Sequence, residues 1–369
     1  MAMKRAERLL RAADRMQQRH RWLSFGVAAW KKFGDDQAGN LAALLAYYAF
    51  AAIFPLLLVL VTILDITLHG DPALRDRLLD SALAQYPIIG TQLKQNVHAL
   101  GQTGPALVIG LVFTFLGARG IAGAAQSAFN AAWGVPRPDR PGFPWSLLRS
   151  ICLIVVVGVG QIITVTISGI AGGAGHLISG VGAAVGAVAV SLLLNIGLFW
   201  LGFRLATAAV VATRDLRLGA FTAAVAWQAL QLAGGVVVTR LLHRSSELYG
   251  TFGLVLGLIA WLYLQAQITM YAVEMNVTAS RKLWPRSLFP PPYTEQDLAA
   301  YQMYARAEQR RPELGVEVRE PGRDGATLSA ARRPPADTDH DDAGSATGAG
   351  SSGGAPTGQF TRPSGTAGR

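Results

Sequence analysis

The sequence predicts an all-α, polytopic membrane protein with six transmembrane helices and both termini in the cytoplasm. Hydrophobic residues make up 51% of the 369-residue chain and charged residues only 15%, proportions that are unusual for a soluble domain. The charged residues concentrate in roughly the first 39 and the last 90 positions. Between them, several apolar stretches reach the roughly 20 residues that a helix needs to cross a bilayer.

The first predicted span, residues 40–64, carries no charged side chain. Tyr47 and Tyr48 lie in its first half, and Pro55 lies near its middle. Because a proline frees a backbone carbonyl one turn earlier, a kink with neighbouring hydroxyls would suit a substrate pathway. Ordinary packing, or anchoring of the tyrosines at the membrane interface, is the alternative interpretation.

Five further spans are predicted at residues 105–133, 147–169, 181–211, 218–240 and 248–273. Residues 151–203 contain no Asp, Glu, Lys or Arg, so this stretch suits two spans joined by a turn near His176. The connection over residues 65–104 has no excess of positive charge and is expected to face outward. The loop after the second span contains Arg137 and Arg140, and the loop after the fourth contains Arg214 and Arg217; basic loops indicate the cytoplasmic side.

The two ends of the chain differ from this six-helix membrane domain, which covers residues 37–285. Residues 1–36 are basic, and the aromatic residues of their second half favour an amphipathic helix lying in the membrane interface. Residues 290–369 become polar and rich in Gly, Ser and Pro, which predicts a disordered cytoplasmic tail. A short helix is expected within that tail at about residues 294–310.

Polar side chains inside the spans are the candidates for a substrate pathway, because such groups are costly in lipid and usually face the protein interior. In the second span, Arg119, Gln126 and Asn130 fall on one helical face. The complete set of candidates is Tyr47, Tyr48, Pro55, Arg119, Gln126, Asn130, Asn195, Arg204, Gln228, Gln231, Tyr263, Gln267, Glu274 and Asn276.

Three of these candidates carry charge. Glu274 ends the last span, and Arg204 lies about seven residues, roughly 10 Å, before the inner end of the fourth. These depths predict an ion pair between Arg204 and Glu274. Arg119 is deeper and is expected to face water or an anionic substrate.

Other classes of function receive little support from the sequence. The formal net charge of +10 could suggest a nucleic-acid partner, but in a multispanning protein basic residues mainly set topology, so none is expected. The single cysteine, Cys152, excludes an internal disulfide and a cysteine-based metal site. No spacing typical of a metal site or a nucleophile triad is present, so we expect neither cofactor nor enzymatic activity.

Two motifs resemble the YihY/virulence factor BrkB family of bacterial inner-membrane proteins. They are LAYYAFAAIFPLLL at residues 45–58 and LYGTFGLVLGLIAWLYLQAQITMYAVEMN at residues 248–276, with a weaker match in AFNAAWGV at residues 128–135. The resemblance covers about residues 20–285. It implies six spans with cytoplasmic ends in the bacterial inner membrane, and it does not imply a settled activity.

Two hypotheses about function follow. The first is a transporter or flippase-like protein for a lipid or amphiphilic anion, with the polar stripes around a cavity and Arg119 attracting the anion. The second is a membrane scaffold that recruits partners through its cytoplasmic termini, with the polar groups serving helix packing. Membrane lipids are the expected partners in either case.

Overall fold

The computed structural model describes residues 11–12, 14–67, 105–174, 181–290, 293–309 and 311. All of them belong to the first of two compact units, Met1–Leu328. The regular structure of these residues is helical, and no strand occurs among them. The outward connection beyond residue 67, the turn near His176 and the tail from residue 312 onward lie outside the described residues.

The helices are numbered here in chain order. They are α1 (Arg21–Asp35), α2 (Ala38–Thr67), α3 (Pro105–Ala132), α4 (Trp145–Ala174), α5 (Val181–Ala206), α6 (Arg217–Ser280) and α7 (Glu295–Ala307). Short 3₁₀ helices at Arg137–Asp139 and Thr213–Leu216 lie in the loops before α4 and α6. Helices α2 and α4 cover the first and third predicted spans, α3 ends one residue before the second predicted span does, and α5 ends at Ala206, short of the predicted end of the fourth span at 211.

Helices α2 and α3 pack as an antiparallel pair. The ring of Tyr48 lies against Gly120, and Ala52 lies against Gly117. Residue numbers therefore increase along α2 where they decrease along α3. A methyl group at Gly120 would collide with the Tyr48 ring. Small residues at this contact let the two helices approach closely, as in many membrane helix pairs.

Helices α4 and α5 form a second antiparallel pair. Leu198 of α5 lies against Gly160, and Leu153 of α4 faces Gly202. Near the beginning of α4, Arg149 Nη1 donates a 3.0 Å hydrogen bond to the carbonyl of Thr207, just beyond the end of α5. The contact fixes the two chain segments together where the loops meet.

Helix α6 is one continuous helical element of 64 residues, whereas the sequence predicts two spans at 218–240 and 248–273. A straight helix of this length would be about 96 Å long. Its ends nevertheless touch, because the Gly219 amide donates a hydrogen bond to Asn276 Oδ1. The element must therefore double back between two antiparallel arms, residues 217–240 and 248–280. At Gly219 any side chain would collide with the Ala272 carbonyl.

The ends of these three helix pairs gather at one end of the bundle, which we call the capped end. Lys32, before α2, donates a 2.7 Å hydrogen bond to the carbonyl of Ala132 at the end of α3. Asn130 of α3 accepts a 2.8 Å hydrogen bond from the Ala208 amide after α5. The start of α2, the end of α3, the start of α4, the end of α5 and both ends of α6 therefore lie together.

Helices α1 and α7 cover this end. Helix α1 buries Ser24, Ala28 and Lys32, which recur every four residues, and it leaves Trp22 and Trp30 exposed. Helix α7 begins with a capping box in which Thr294 and Asp297 bond each other's backbone amides. It buries Asp297 and Ala300, and it lies where the sequence predicts a short helix at about residues 294–310.

Much of the outer surface of the bundle is apolar. Large exposed hydrophobic side chains occur on α3, α4, α5 and both arms of α6, among them Leu111, Phe113, Val155, Leu193, Phe221 and Leu256. Within the described residues, Val188–Ala206 and Val255–Ser280 are long and apolar enough to cross a membrane. Extended apolar surface of this kind is typical of contact with lipid.

Candidate functional site

A partly open cavity of about 460 Å³ lies between α2, α3, α4, α5 and both arms of α6. Its walls are mainly apolar. Side chains that line it include Leu45, Ala49, Phe129, Leu153, Leu198, Phe203, Trp227, Leu262 and Ala266. The volume lies within the roughly 300–1,000 Å³ that is usual for small-molecule sites.

Uncharged polar side chains are the only hydrophilic groups on the cavity walls among the described residues: Thr114, Asn195, Gln265 and Thr269. Thr269 Oγ1 donates a 2.9 Å hydrogen bond to the Gln265 carbonyl. Thr114 Oγ1 and Gln265 Nε2 are buried without a hydrogen-bond partner. A buried unpaired polar group costs about 1–3 kcal/mol, so these two atoms suit hydrogen bonding to a bound molecule.

Asn195 is the predicted pathway residue that lines this cavity. Tyr47 is instead 64% exposed on the outside of α2. Its ring meets Tyr48 edge to face at 5.4 Å between centroids, while Tyr48 packs on α3. Pro55 lies within the continuous helix α2, but its side chain is outside the described residues.

The polar stripe of α3 divides into a buried and an exposed part. Gln126 Nε2 donates a 2.9 Å hydrogen bond to Ser150 Oγ of α4, and Asn130 binds the Ala208 amide, so both fasten neighbouring segments. Arg119 is exposed and does not line the cavity. Arg119, which is expected to face water or an anionic substrate, lies at the exposed end of the stripe, because neighbouring helices cover only the part of this face near the capped end.

The remaining uncharged candidates lie on α6. Gln228, Gln231, Tyr263 and Gln267 are half-buried and do not line the cavity. Gln231 Oε1 has no hydrogen-bond partner, and the Tyr263 hydroxyl lies beside Gly39 of α2. Asn276 is fully buried and joins the two arms of α6 through the Gly219 amide.

Glu274 pairs with Lys32, not with Arg204 as the sequence predicts. Lys32 Nζ lies 2.8 Å from Glu274 Oε2, and both side chains are fully buried. Arg204 lies near Arg149, and its Nη1 is buried without a hydrogen-bond partner. The depth argument fails because it compared only the predicted spans, whereas the true partner comes from α1.

Lys32 also binds Asp36, one turn further along the chain. Burial by itself disfavours the ammonium form, but the carboxylates of Glu274 and Asp36 outweigh it and raise the pKa of Lys32 above its usual value. The lysine is therefore charged at neutral pH. It holds α1, the end of α3 and the second arm of α6 together.

A second charged network joins α7 to the rest of the cap. Asp297 is fully buried and accepts hydrogen bonds from Lys31 at 3.0 Å and from Arg286 at 2.9 Å. Burial opposes ionisation of this carboxyl, but the Ser287 amide, Lys31, Arg286 and Thr294 outweigh it and lower the pKa of Asp297 to about 2. Arg286 also reaches Asp35 at 2.9 Å.

Sequence reasoning missed Lys32, Asp36, Arg286 and Asp297, because it treated charges outside the spans as topological signals. One signal was present: Lys32 shares a helical face with the small residues Ser24 and Ala28. A lysine on the packing face of a helix needs a buried acidic partner.

No group of three metal-ligating side chains lies within the described part of the chain.

The apolar outer surface and the paired helices define the class: this is a helical membrane protein. The chain belongs to the virulence factor BrkB family, whose model matches residues 29–291. The resemblance inferred from the motifs is therefore confirmed. Lys32, Asp36, Glu274 and Arg286 fall inside the matched region, and Asp297 lies just beyond it.

Similar proteins are described as membrane proteins. The inner membrane protein YhjD of Escherichia coli K12 is 24% identical over 283 residues, which cover 70% of this chain and 82% of that protein. A UPF0761 membrane protein of Pseudomonas paraeruginosa is 25% identical over 273 residues, covering 71% of this chain and 64% of the relative. The match thus spans slightly less than two thirds of the Pseudomonas protein. No solved structure matches.

Proposed function

We propose that the chain crosses the bacterial inner membrane six times and has both termini in the cytoplasm. Helices α2 to α5 and the two arms of α6 supply six crossings, and the capped end would face the cytoplasm. Arg137, Arg140, Arg214, Arg217 and Arg281 lie in loops or helix termini at this end. That distribution agrees with the excess of basic residues in cytoplasmic loops.

Within this topology, we propose that the protein is a non-enzymatic transporter or flippase-like protein that moves a lipid or an amphiphilic anion. The observation that carries the proposal is the 460 Å³ cavity, apolar but with the unpaired Thr114 hydroxyl and Gln265 amide. Such a cavity suits the apolar body of an amphiphile and one weakly polar group. Because Arg119 does not line it, that arginine is not assigned to this cavity.

Movement of fluorescent phospholipids in proteoliposomes tests this function. Ala49→Phe places a ring in the cavity, whereas Ala51→Phe, two residues along the same helix, places it on the exposed surface. We expect wild type and Ala51→Phe to accelerate lipid movement and Ala49→Phe to lose at least tenfold of that activity. Equal activity of the two variants would remove the cavity from the pathway.

The same assay separates transport from the scaffold hypothesis. A scaffold would bind partners through the capped end and would move no lipid. Absence of movement by the wild-type protein in vesicles of several lipid compositions would therefore favour the scaffold.

A further inference from the structure

Two buried clusters of carboxyl groups lie at the capped end, and their charges are balanced differently. Asp297 faces two cations, Lys31 and Arg286, and also accepts hydrogen bonds from the Ser287 amide and the Thr294 hydroxyl. An ionised carboxylate is thus fully compensated at this position. Asp297 therefore serves as the example of a compensated carboxylate with which the second cluster is compared.

The second cluster contains two carboxyl groups and one ammonium. Lys32 Nζ donates hydrogen bonds to the Ala132 carbonyl and to Asp36 Oδ2, and it lies 2.8 Å from Glu274 Oε2 as an ion pair without hydrogen-bond geometry. Both oxygens of the buried Glu274 carboxyl group are therefore without a hydrogen-bond donor. Asp36 Oδ2 and Glu274 Oε2 both contact the same Lys32 Nζ atom, so the two carboxyl groups are close neighbours.

Two ionised carboxylates around one ammonium would leave a net negative charge in a buried site, which proteins avoid by binding a proton. A proton between the two carboxyl groups also supplies the donor that the geometry lacks. We propose that Asp36 and Glu274 share one proton and, with Lys32, form a buried proton-binding site. The proton belongs to the pair, as in other closely coupled carboxyl groups.

The other charged and titratable groups that face the pair do not compensate the second carboxylate. Tyr304 of α7 lies beneath Lys32, with Nζ 5.7 Å from the ring centroid, and its hydroxyl donates to Asp35 Oδ2 at 3.3 Å. Arg286 is engaged by Asp35 and Asp297. Burial also raises the pKa of the Asp36 carboxyl in spite of the adjacent Lys32.

The proton site lies next to the cavity. Glu274 follows the cavity-lining Thr269 by five residues on α6, about 7 Å along the helix, and Ala132 follows the cavity-lining Phe129 by one turn of α3. Losing the proton would set two carboxylates against each other at the joint between α1 and α6. In this inference, which rests on the proposed transport function, binding and release of the proton control opening of the capped end. The proton is then the ion coupled to substrate movement.

Infrared spectroscopy of the full chain in lipid nanodiscs at pH 7 tests the proton site without any transport assay. A protonated carboxyl group gives a carbonyl stretch that a carboxylate lacks. We expect Asp36→Asn and Glu274→Gln each to lose one carboxyl equivalent of this band, because the remaining acid then pairs with Lys32 as a carboxylate. The control Asp297→Asn, which removes an ionised carboxylate, should keep the full band.

Either single variant tests the proton site, so the experiment still gives an answer if one of the two folds poorly. Wild-type intensity of the band in a folded Asp36→Asn or Glu274→Gln variant would overturn the proton site. Loss of the band with no lipid movement by the wild type would keep the proton site and reject its role in transport.

Discussion

Individual residues set close contacts that tolerate little change, and Gly219 is the clearest case. Its backbone approaches Asn276 and the Ala272 carbonyl so closely that no Cβ fits between the two arms of α6. Gly26 in α1, by contrast, has no atom within 4 Å of the position of a Cβ. These two helical glycines therefore form a matched pair.

Gly219→Ala should lower the stability of the protein by about 1–3 kcal/mol, the usual cost of forcing extra atoms into a packed site. Gly26→Ala should leave it unchanged or raise it by up to about 1 kcal/mol, because alanine favours a helix. Unfolding in detergent measures both variants. A Gly219→Ala protein as stable as Gly26→Ala would contradict the close packing of the two arms.

At Gln265, stability and activity should change in opposite directions. Its Nε2 lacks a partner on the cavity wall, so Gln265→Leu should maintain or raise the melting temperature by removing a buried unpaired donor. The same change should reduce lipid movement at least several-fold if the amide binds the polar part of the substrate. Gln267→Leu, half-buried away from the cavity, is the control, and an equal loss of activity in both variants would reject this role.

At the scale of elements, α7 is held to the cap by an ionised carboxylate whose contribution depends on pH. The folded pKa of Asp297, about 2, lies below the ordinary value of 3.8, so its stabilisation is complete above about pH 4 and disappears as pH falls through 2. The difference between the two pKa values corresponds to roughly 2 kcal/mol of folding free energy. Protection of α7 amides from hydrogen exchange should therefore fall between pH 4 and 2.

Asp297→Asn is the matched variant for this pH dependence. It should weaken α7 at neutral pH and remove the part of the acid sensitivity that comes from this group. An α7 that loses protection over the same pH range in wild type and variant would show that another group is responsible.

Helix α1 is fastened to α6 by Lys32, and its removal should be costly. Lys32→Met leaves Asp36 and Glu274 without their cation, which in buried sites typically costs about 3–5 kcal/mol. Lys282→Met, at an exposed lysine, should change stability by less than about 0.5 kcal/mol. A double-mutant cycle of Lys32→Met with Glu274→Gln should be non-additive, while one of Arg204→Gln with Glu274→Gln should be additive.

At the scale of the whole molecule, the helical membrane class follows from hydropathy, because apolar stretches long enough to cross a bilayer leave few other folds. The family was identifiable from motifs in α2 and α6. The hydrogen bond between Gly219 and Asn276 was not predictable, because the periodicity of a sequence does not show which distant residues meet. The cavity was also not predictable from sequence, because its walls are mostly Ala, Leu and Phe, which are equally common in ordinary helix packing. Among the polar candidates, Asn195 is the one that lines it.

The charged residues show what local sequence does not reveal about the interior of the protein. Arg119 and Arg204 stood out because they interrupt apolar spans, but neither lines the cavity. Lys32 and Asp36 lay in a basic segment whose charges were assigned to topology. Burial of such charges depends on where α1 docks, which is a property of the tertiary fold and not of local sequence.

In the proposed function, the cavity between α2 and α6 holds the apolar part of a lipid. Photoreactive phospholipids with the reactive group in the acyl chain test this directly, with the labelled residues located by mass spectrometry of protein in membranes. We predict adducts on the cavity residues Leu198, Leu262 and Ala266 that Ala49→Phe suppresses and Ala51→Phe does not. Adducts confined to outward-facing residues such as Leu193 and Leu256 in all three proteins would show that the cavity does not hold the lipid.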